Sequence, residues 1–184
     1  MTYAGRVITD EHPYVALARE AIRAYLATGE IPEPPGGAGD PPATGVFVSL
    51  HETPSPGAED GALRGCVGTI VPREPTLRRE IARSAVSAAV GDPRFPPLDP
   101  DEVDGLSITV YLLGEPEEVA GVGALHPERY GVIVEGSGGR RGLLLPGIPG
   151  ISTAELQVDI ARRKAGIDPD EPVRLLRFSA RVIH

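Results

Sequence analysis

Cys66 is the single cysteine of the chain, and the run Leu63-Arg64-Gly65-Cys66-Val67-Gly68 sets a guanidinium and two glycines around its thiol. A thiol becomes a nucleophile or a redox group when a nearby cation favours its thiolate. Arg64 stands two positions before Cys66, so on a regular strand both side chains project to one face, where the guanidinium can lower the thiol pKa. Gly65 and Gly68 carry no side chains and let a ligand or another backbone approach. The same residues allow a plainer reading, in which Cys66 is a small buried hydrophobe. Residue types alone leave both readings open.

Arg64 has two possible uses. Its planar fork can receive a substrate carboxylate or phosphate, or it can pair with Asp92 or Glu80 and hold its strand to the following helix. Asp92 and Arg94 belong to the Pro-rich turn Asp92-Pro93-Arg94-Phe95-Pro96-Pro97-Leu98. Irregular turns display functional groups, although an Asp there can equally cap the turn. The histidines His12, His51, His126 and His184 are scattered and show no metal-ligand spacing, so no metal is expected. His51 or His126 could still form a dyad with Cys66, because catalytic partners need only meet in space. The stretch from Gly136 to Gly142 lacks the Gly-Lys-Ser/Thr of a phosphate loop and reads as a hairpin tip. No cofactor motif appears, and no cofactor is expected.

The elements that must carry these groups follow from periodicity. Tyr14, Leu17, Ala18, Ala21, Ile22, Tyr25 and Leu26 recur at helical spacing, predicting a helix from Thr9 or Asp10 with Gly29 as its stop. Residues 31–43 form a Pro/Gly loop, expected to be exposed. Two antiparallel neighbours are predicted at Gly45–Leu50 and Leu63–Val71, and a helix from Thr76 that ends at Gly91. Leu106–Leu113 reads as a strand, and Tyr130–Glu135 with Gly142–Leu145 as a hairpin. Ser152 and Glu155 have capping-box spacing for a helix stopping at Gly166, and Val173–Ile183 would be the closing strand. Hairpins rather than strict βαβ alternation give an α+β body with a largely antiparallel sheet and flanking helices.

Composition narrows the functional classes. At 184 residues, with 41% hydrophobic and 24% charged residues, the chain has the make-up of one folded body. With 4% aromatics and no Trp, the core must be aliphatic. A net charge of −8 opposes a phosphate backbone, so no nucleic-acid binding is expected. No stretch approaches the roughly 18 apolar residues of a membrane span, and a lone cysteine suits a reducing compartment. The expected location is therefore cytoplasmic, with no membrane partner.

Leu63-Arg64-Gly65-Cys66-Val67-Gly68-Thr69-Ile70, then Asp92 to Leu98, then Gly142-Leu143-Leu144-Leu145-Pro146 and Lys164-Ala165-Gly166-Ile167, resemble the signatures of the AMMECR1 family in their expected order. The resemblance spans most of the chain. It implies a single domain over residues 1–184 made of two intimately packed lobes, a larger and a smaller, forming a cleft near the cysteine segment. It also implies a cleft-lining role for Leu63, Arg64, Gly65, Cys66, Gly68, Asp92 and Arg94. Proteins similar to this one are often encoded beside a Memo-like protein and a radical SAM protein, which implies a shared modification or redox pathway. The sequence departs from the family pattern at Tyr130-Gly131-Val132, where His-Gly-Ile/Val is common, and at Gly147, where Gln is common. Two functions follow: a binding or accessory module for a small molecule or partner protein, or an enzyme using Cys66 with Arg64.

Overall fold

The computed structural model describes residues 11–35, 39–53 and 61–184. Its elements run α1 (Pro13–Thr28), β1 (Val46–Glu52), β2 (Leu63–Thr69), α2 (Leu77–Val90), β3 (Leu106–Leu113), β4 (Glu117–Val119), β5 (Gly131–Glu135), β6 (Arg141–Leu144), α3 (Ala154–Ala165), β7 (Arg174–Phe178) and β8 (Ala180–Ile183). A 3₁₀ turn at Pro100–Gly105 leads into β3. The fold is α+β, as expected.

It has two sheets where the sequence pattern suggested one. The first is ordered β2-β1-β3-β8 and the second β4-β7-β5-β6. The described residues up to Tyr111 together with Val182–His184 make one compact unit, and Leu112–Arg181 make the other. The expected closing strand is two strands, β7 and β8, separated by Ser179 and belonging to different sheets. A continuous apolar run does not reveal such a break, because alternation specifies faces and not partners.

In the first unit, Val46, Val48 and Leu50 of β1 and Ile108 and Val110 of β3 are buried at every second position. α2 packs against β1 and β2, and α1 packs on α2. Small side chains let the two helices approach: Ala21 meets Ala82 and Val86. In the second unit Val132, Val134, Leu144, Val158, Ala161, Ile167 and Leu175 form the core. The hydrophobic effect acts on these aliphatic faces, and among the described residues Phe178 is the bulkiest fully buried side chain.

The helix stops at Gly29, Gly91 and Gly166 fall where expected, and the N-terminal cap of α3 does not. α1 starts at Pro13, with His12 as N-cap accepting the Tyr14 N–H through Nδ1, and stops at Gly29 in the left-handed region. The earlier start expected at Thr9 or Asp10 lies outside the described residues. α3 is capped by Thr153, whose hydroxyl accepts the Leu156 N–H, and not by Ser152, so the expected capping box does not form. Within the Pro/Gly loop, residues 31–35 have no regular structure and Pro34 is buried. The loop's far end is tied to α2 by the Leu77 N–H donating to Pro41 and by a bridge from Pro42 to Thr76.

Candidate functional site

β2 is an edge strand of the first sheet, paired antiparallel with β1 alone. The register runs Val46↔Thr69, Phe47↔Gly68, Val48↔Val67, Ser49↔Cys66 and Leu50↔Gly65, then shifts so that His51 faces Leu63. Arg64 is thereby the unpaired residue of a bulge, and a bulge re-aims its side chain. Half-buried Leu63 leads into it.

That bulge changes the role expected of Arg64. Its Nε and Nη2 donate to the two carboxyl oxygens of Glu102 at 2.8 and 3.0 Å, and its Nη1 donates to the Pro96 carbonyl at 2.9 Å. The side chain is 11% exposed. Its partner is neither Asp92 nor Glu80. Glu102 also accepts the Asp99 N–H, and the Arg64 fork together with that N–H holds its carboxyl below the usual range. Arg64 thus fastens β2 to the Pro-rich turn, whose prolines lack N–H groups but keep acceptor carbonyls.

The guanidinium beside Cys66 belongs to Arg94. Asp92 accepts the Cys66 N–H at 2.9 Å through Oδ2, and Arg94 grips both Asp92 oxygens through Nε and Nη2 at 3.0 and 2.7 Å. Arg94 Nη2 also reaches the Cys66 carbonyl at 3.5 Å. The Asp92 side chain is 3% exposed, whereas that of Arg94 is 56% exposed and passes 5.4 Å from the Phe95 ring centroid. Asp92 and Arg94 therefore clamp the outer edge of the strand at Cys66, an edge that would otherwise offer open pairing groups.

The Arg94 hydrogen bond, joined by the Cys66 N–H and opposed by burial, holds the Asp92 carboxyl down at about 2. Its ordinary value is 3.8, so the ionised form stabilises the fold above about pH 4, and this contribution is lost as pH falls through about 2. We expect the denaturant midpoint to fall between about pH 4 and pH 2. Asp92→Asn should lower stability at pH 7 by roughly 1–3 kcal/mol and flatten that acid limb. An unchanged acid limb in the variant would show that other carboxyls govern it.

Two glycines are explained by close packing. A Cβ on Gly65 would stand 2.2 Å from the Ala88 carbonyl oxygen of α2, and one on Gly68 would stand 2.1 Å from the Val46 carbonyl oxygen. Neither leaves an open approach on those sides for a ligand.

The face of the sheet turned away from α2 carries a row of polar side chains beside Phe47. Directly opposed residues of an antiparallel pair share a face, so Ser49 lies beside half-buried Cys66. Because Cys66 directs its N–H outward to Asp92, this is a non-hydrogen-bonded pair, the kind whose side chains come closest. Ser49 is buried, and its hydroxyl shares a 3.4 Å hydrogen bond with His51 Nδ1, two residues along the same face. Tyr111 of β3 is close enough for Cys66 to act on it electrostatically; burial, then Cys66, pushes its phenol above the ordinary value. Thr109 follows on the same face by alternation, buried and joined to His184 Nδ1 at 3.2 Å. A thiol, two hydroxyls, two imidazoles and a phenol are thus spread over one sheet face.

Of the residues expected to form the site, Cys66, Asp92 and Arg94 come together, Arg64 turns to Glu102, and Gly65 and Gly68 serve packing. Ser49, Thr109, Tyr111 and His184 were not anticipated. Their signal was the alternation of Val46, Val48 and Leu50 with Phe47, Ser49 and His51, and of Ile108 and Val110 with Thr109 and Tyr111. His51, one of the two dyad candidates, lies on this face, and His126 belongs to the other unit. Among the described residues no group of three or more His, Cys, Asp or Glu is placed to hold a metal, and no helix is long and apolar enough to cross a membrane.

Two antiparallel sheets with flanking helices, and an Arg-Gly-Cys-Val-Gly edge strand locked by Asp92, define the class of this protein. Residues 15–183 match the AMMECR1 family model, and the chain belongs to the AMMECR1 family. A protein of Thermotoga maritima is 45% identical over 173 residues, covering 92% of this chain and 95% of that relative. A Clostridium acetobutylicum protein is 42% identical over 173 residues, but these make up 35% of its length. The crystal structure of an uncharacterized protein from Pyrococcus horikoshii superposes with a TM-score of 0.82 at 35% identity, covering 92% of this chain and 88% of that one.

Proposed function

We propose that the protein is a binding or accessory module of a modification or redox pathway, and that the polar face of its first sheet receives a small molecule or a partner's side chain. The row of Cys66, Ser49, His51, Tyr111, Thr109 and His184 carries this reading. Buried polar side chains are costly unless hydrogen-bonded, and such groups on neighbouring strands supply the directional donors and acceptors of a recognition surface. Family resemblance supplies the partners, a Memo-like protein and a radical SAM protein, and the lone cysteine suits a cytoplasmic setting. Asp92 and Arg94 serve this face indirectly by fixing the strand that bears Cys66.

A second reading makes Cys66 a nucleophile. The Ser49–His51 hydrogen bond directly across from it favours that reading, as does the Arg94 guanidinium at its carbonyl. The deciding measurement is the alkylation rate of Cys66 against pH in the native protein, with the denatured chain as reference, alongside the pathway activity of Cys66→Ala. The binding reading expects a thiol that reacts no faster than the denatured reference, and a folded Cys66→Ala protein whose affinity changes while pathway activity is kept. A fast thiol titrating well below about 8.5, with activity lost in Cys66→Ala, would overturn it.

A further inference from the structure

On the opposite side of β2 from the polar sheet face, a cavity of about 130 Å³ lies between the end of the strand and α2. That is several times the roughly 30 Å³ share of one water in the liquid. Its lining includes Gly68, Arg73, Arg83, Ser84 and Ser87, and no lining residue is acidic. We propose that this cavity binds an oxyanion, the phosphate or carboxylate group of a ligand. The site is independent of the Cys66 face and holds whichever reading of that thiol prevails.

Each wall supplies a donor. Cys66 turns its N–H to the outer edge of β2, where Asp92 takes it, and the two-residue alternation of an antiparallel strand places the Gly68 N–H on the same edge. The Asp92–Arg94 clamp acts at Cys66 and leaves Gly68 outside it. From the following loop comes Arg73, which is exposed and whose guanidinium has no hydrogen-bond partner among the described residues. Arg83 gives its Nε to Glu74, and among the described residues its two Nη groups have no hydrogen-bond partner. Ser84 and Ser87 stand three residues apart on α2 and thus on one side of the helix. The Ser84 hydroxyl makes a long 3.5 Å contact to the Val46 carbonyl.

The two carboxyls that bond to lining residues of the cavity are engaged. Glu74 faces Arg83 Nε. Glu80 accepts the Thr69 hydroxyl and the N–H groups of Arg73 and Glu74. Planar guanidinium forks, hydroxyls and an outward N–H are the groups that recognise phosphate and carboxylate oxygens. They gather here in a chain whose net charge is −8, so the arrangement is local and does not reflect a generally basic surface.

The test is an NMR titration of the full chain with inorganic phosphate and, separately, acetate, at ionic strength held constant with chloride. Saturable shifts of the Gly68 and Ser87 amides are expected with at least one anion. Tighter phosphate binding assigns a phosphoryl ligand, and tighter acetate binding a carboxylate. Arg73→Gln should weaken binding about tenfold, with Arg73→Lys between it and the native protein. Cys66→Ala should bind unchanged, so a failure of the thiol-face reading leaves this result intact. Non-saturating shifts with both anions, or equal affinity in Arg73→Gln, would overturn the proposal; Arg73 is exposed, so that variant folds.

Discussion

Gly65→Ala is expected to cost about 3 kcal/mol or more of stability, a loss as large as that of a deleted core side chain. The added Cβ would sit 2.2 Å from the Ala88 carbonyl oxygen and 3.2 Å from its carbon. Both are backbone atoms of α2, so no side chain can swing aside, and either the helix or β2 must move. Such movement spreads: Cys66 follows in the chain, and its N–H must stay within reach of Asp92. Equilibrium denaturation against Gly105→Ala is the suitable comparison, since a Cβ at Gly105 meets nothing within 4 Å. Equal midpoints for the two variants would mean that α2 does not press on β2 as described.

Glu80→Ala should rank beside it, with a loss of roughly 3–5 kcal/mol from stranding three donors. Glu80 is 0% exposed and lies in the first turn of α2, where an acidic side chain also suits the helix dipole. Its Oε1 accepts the Thr69 hydroxyl, and its Oε2 accepts the N–H groups of Arg73 and Glu74, each at 2.8 Å. One side chain thereby shapes the connection from β2 to α2. Glu80→Gln keeps the size but turns an NH₂ toward those donors, and should lose roughly 2–3 kcal/mol. Urea midpoints with an unchanged m-value would report this as lost stability and not an altered unfolded state. A loss below about 1 kcal/mol in Glu80→Ala would show that the loop holds its shape without the carboxyl. Because Arg73 lies in that loop, Glu80→Gln should also weaken anion binding at the neighbouring cavity.

These two positions show why part of the site was legible beforehand and part was not. Gly65 stood within a recognisable word and read as room for a ligand or for another backbone, and it is the backbone carbonyl of Ala88 that takes the room. Glu80 entered as one of two possible partners for Arg64, and the bulge between Leu50 and His51 sent Arg64 to Glu102 instead. A bulge is one residue of register, set by pairing with another strand, and the local pattern carries no mark of it.

What the sequence determined by itself is the local layer and the kinship. Helical spacing and the stops at Gly29, Gly91 and Gly166 placed three helices, because capping and periodicity act within a few residues. Four hydrophobic runs bounded by turn residues placed the β1–β2 pair and the β5–β6 hairpin, and four words in order marked the AMMECR1 family. Tertiary structure alone decided that the strands divide between two sheets, that the last run splits at Ser179, that Arg94 and not Arg64 attends Cys66, and that Ser49, Thr109, Tyr111 and His184 share its face. The reason is physical: a strand's alternation specifies which side of it is apolar, while its neighbours, and hence the company its polar side keeps, depend on pairing between residues distant in the chain.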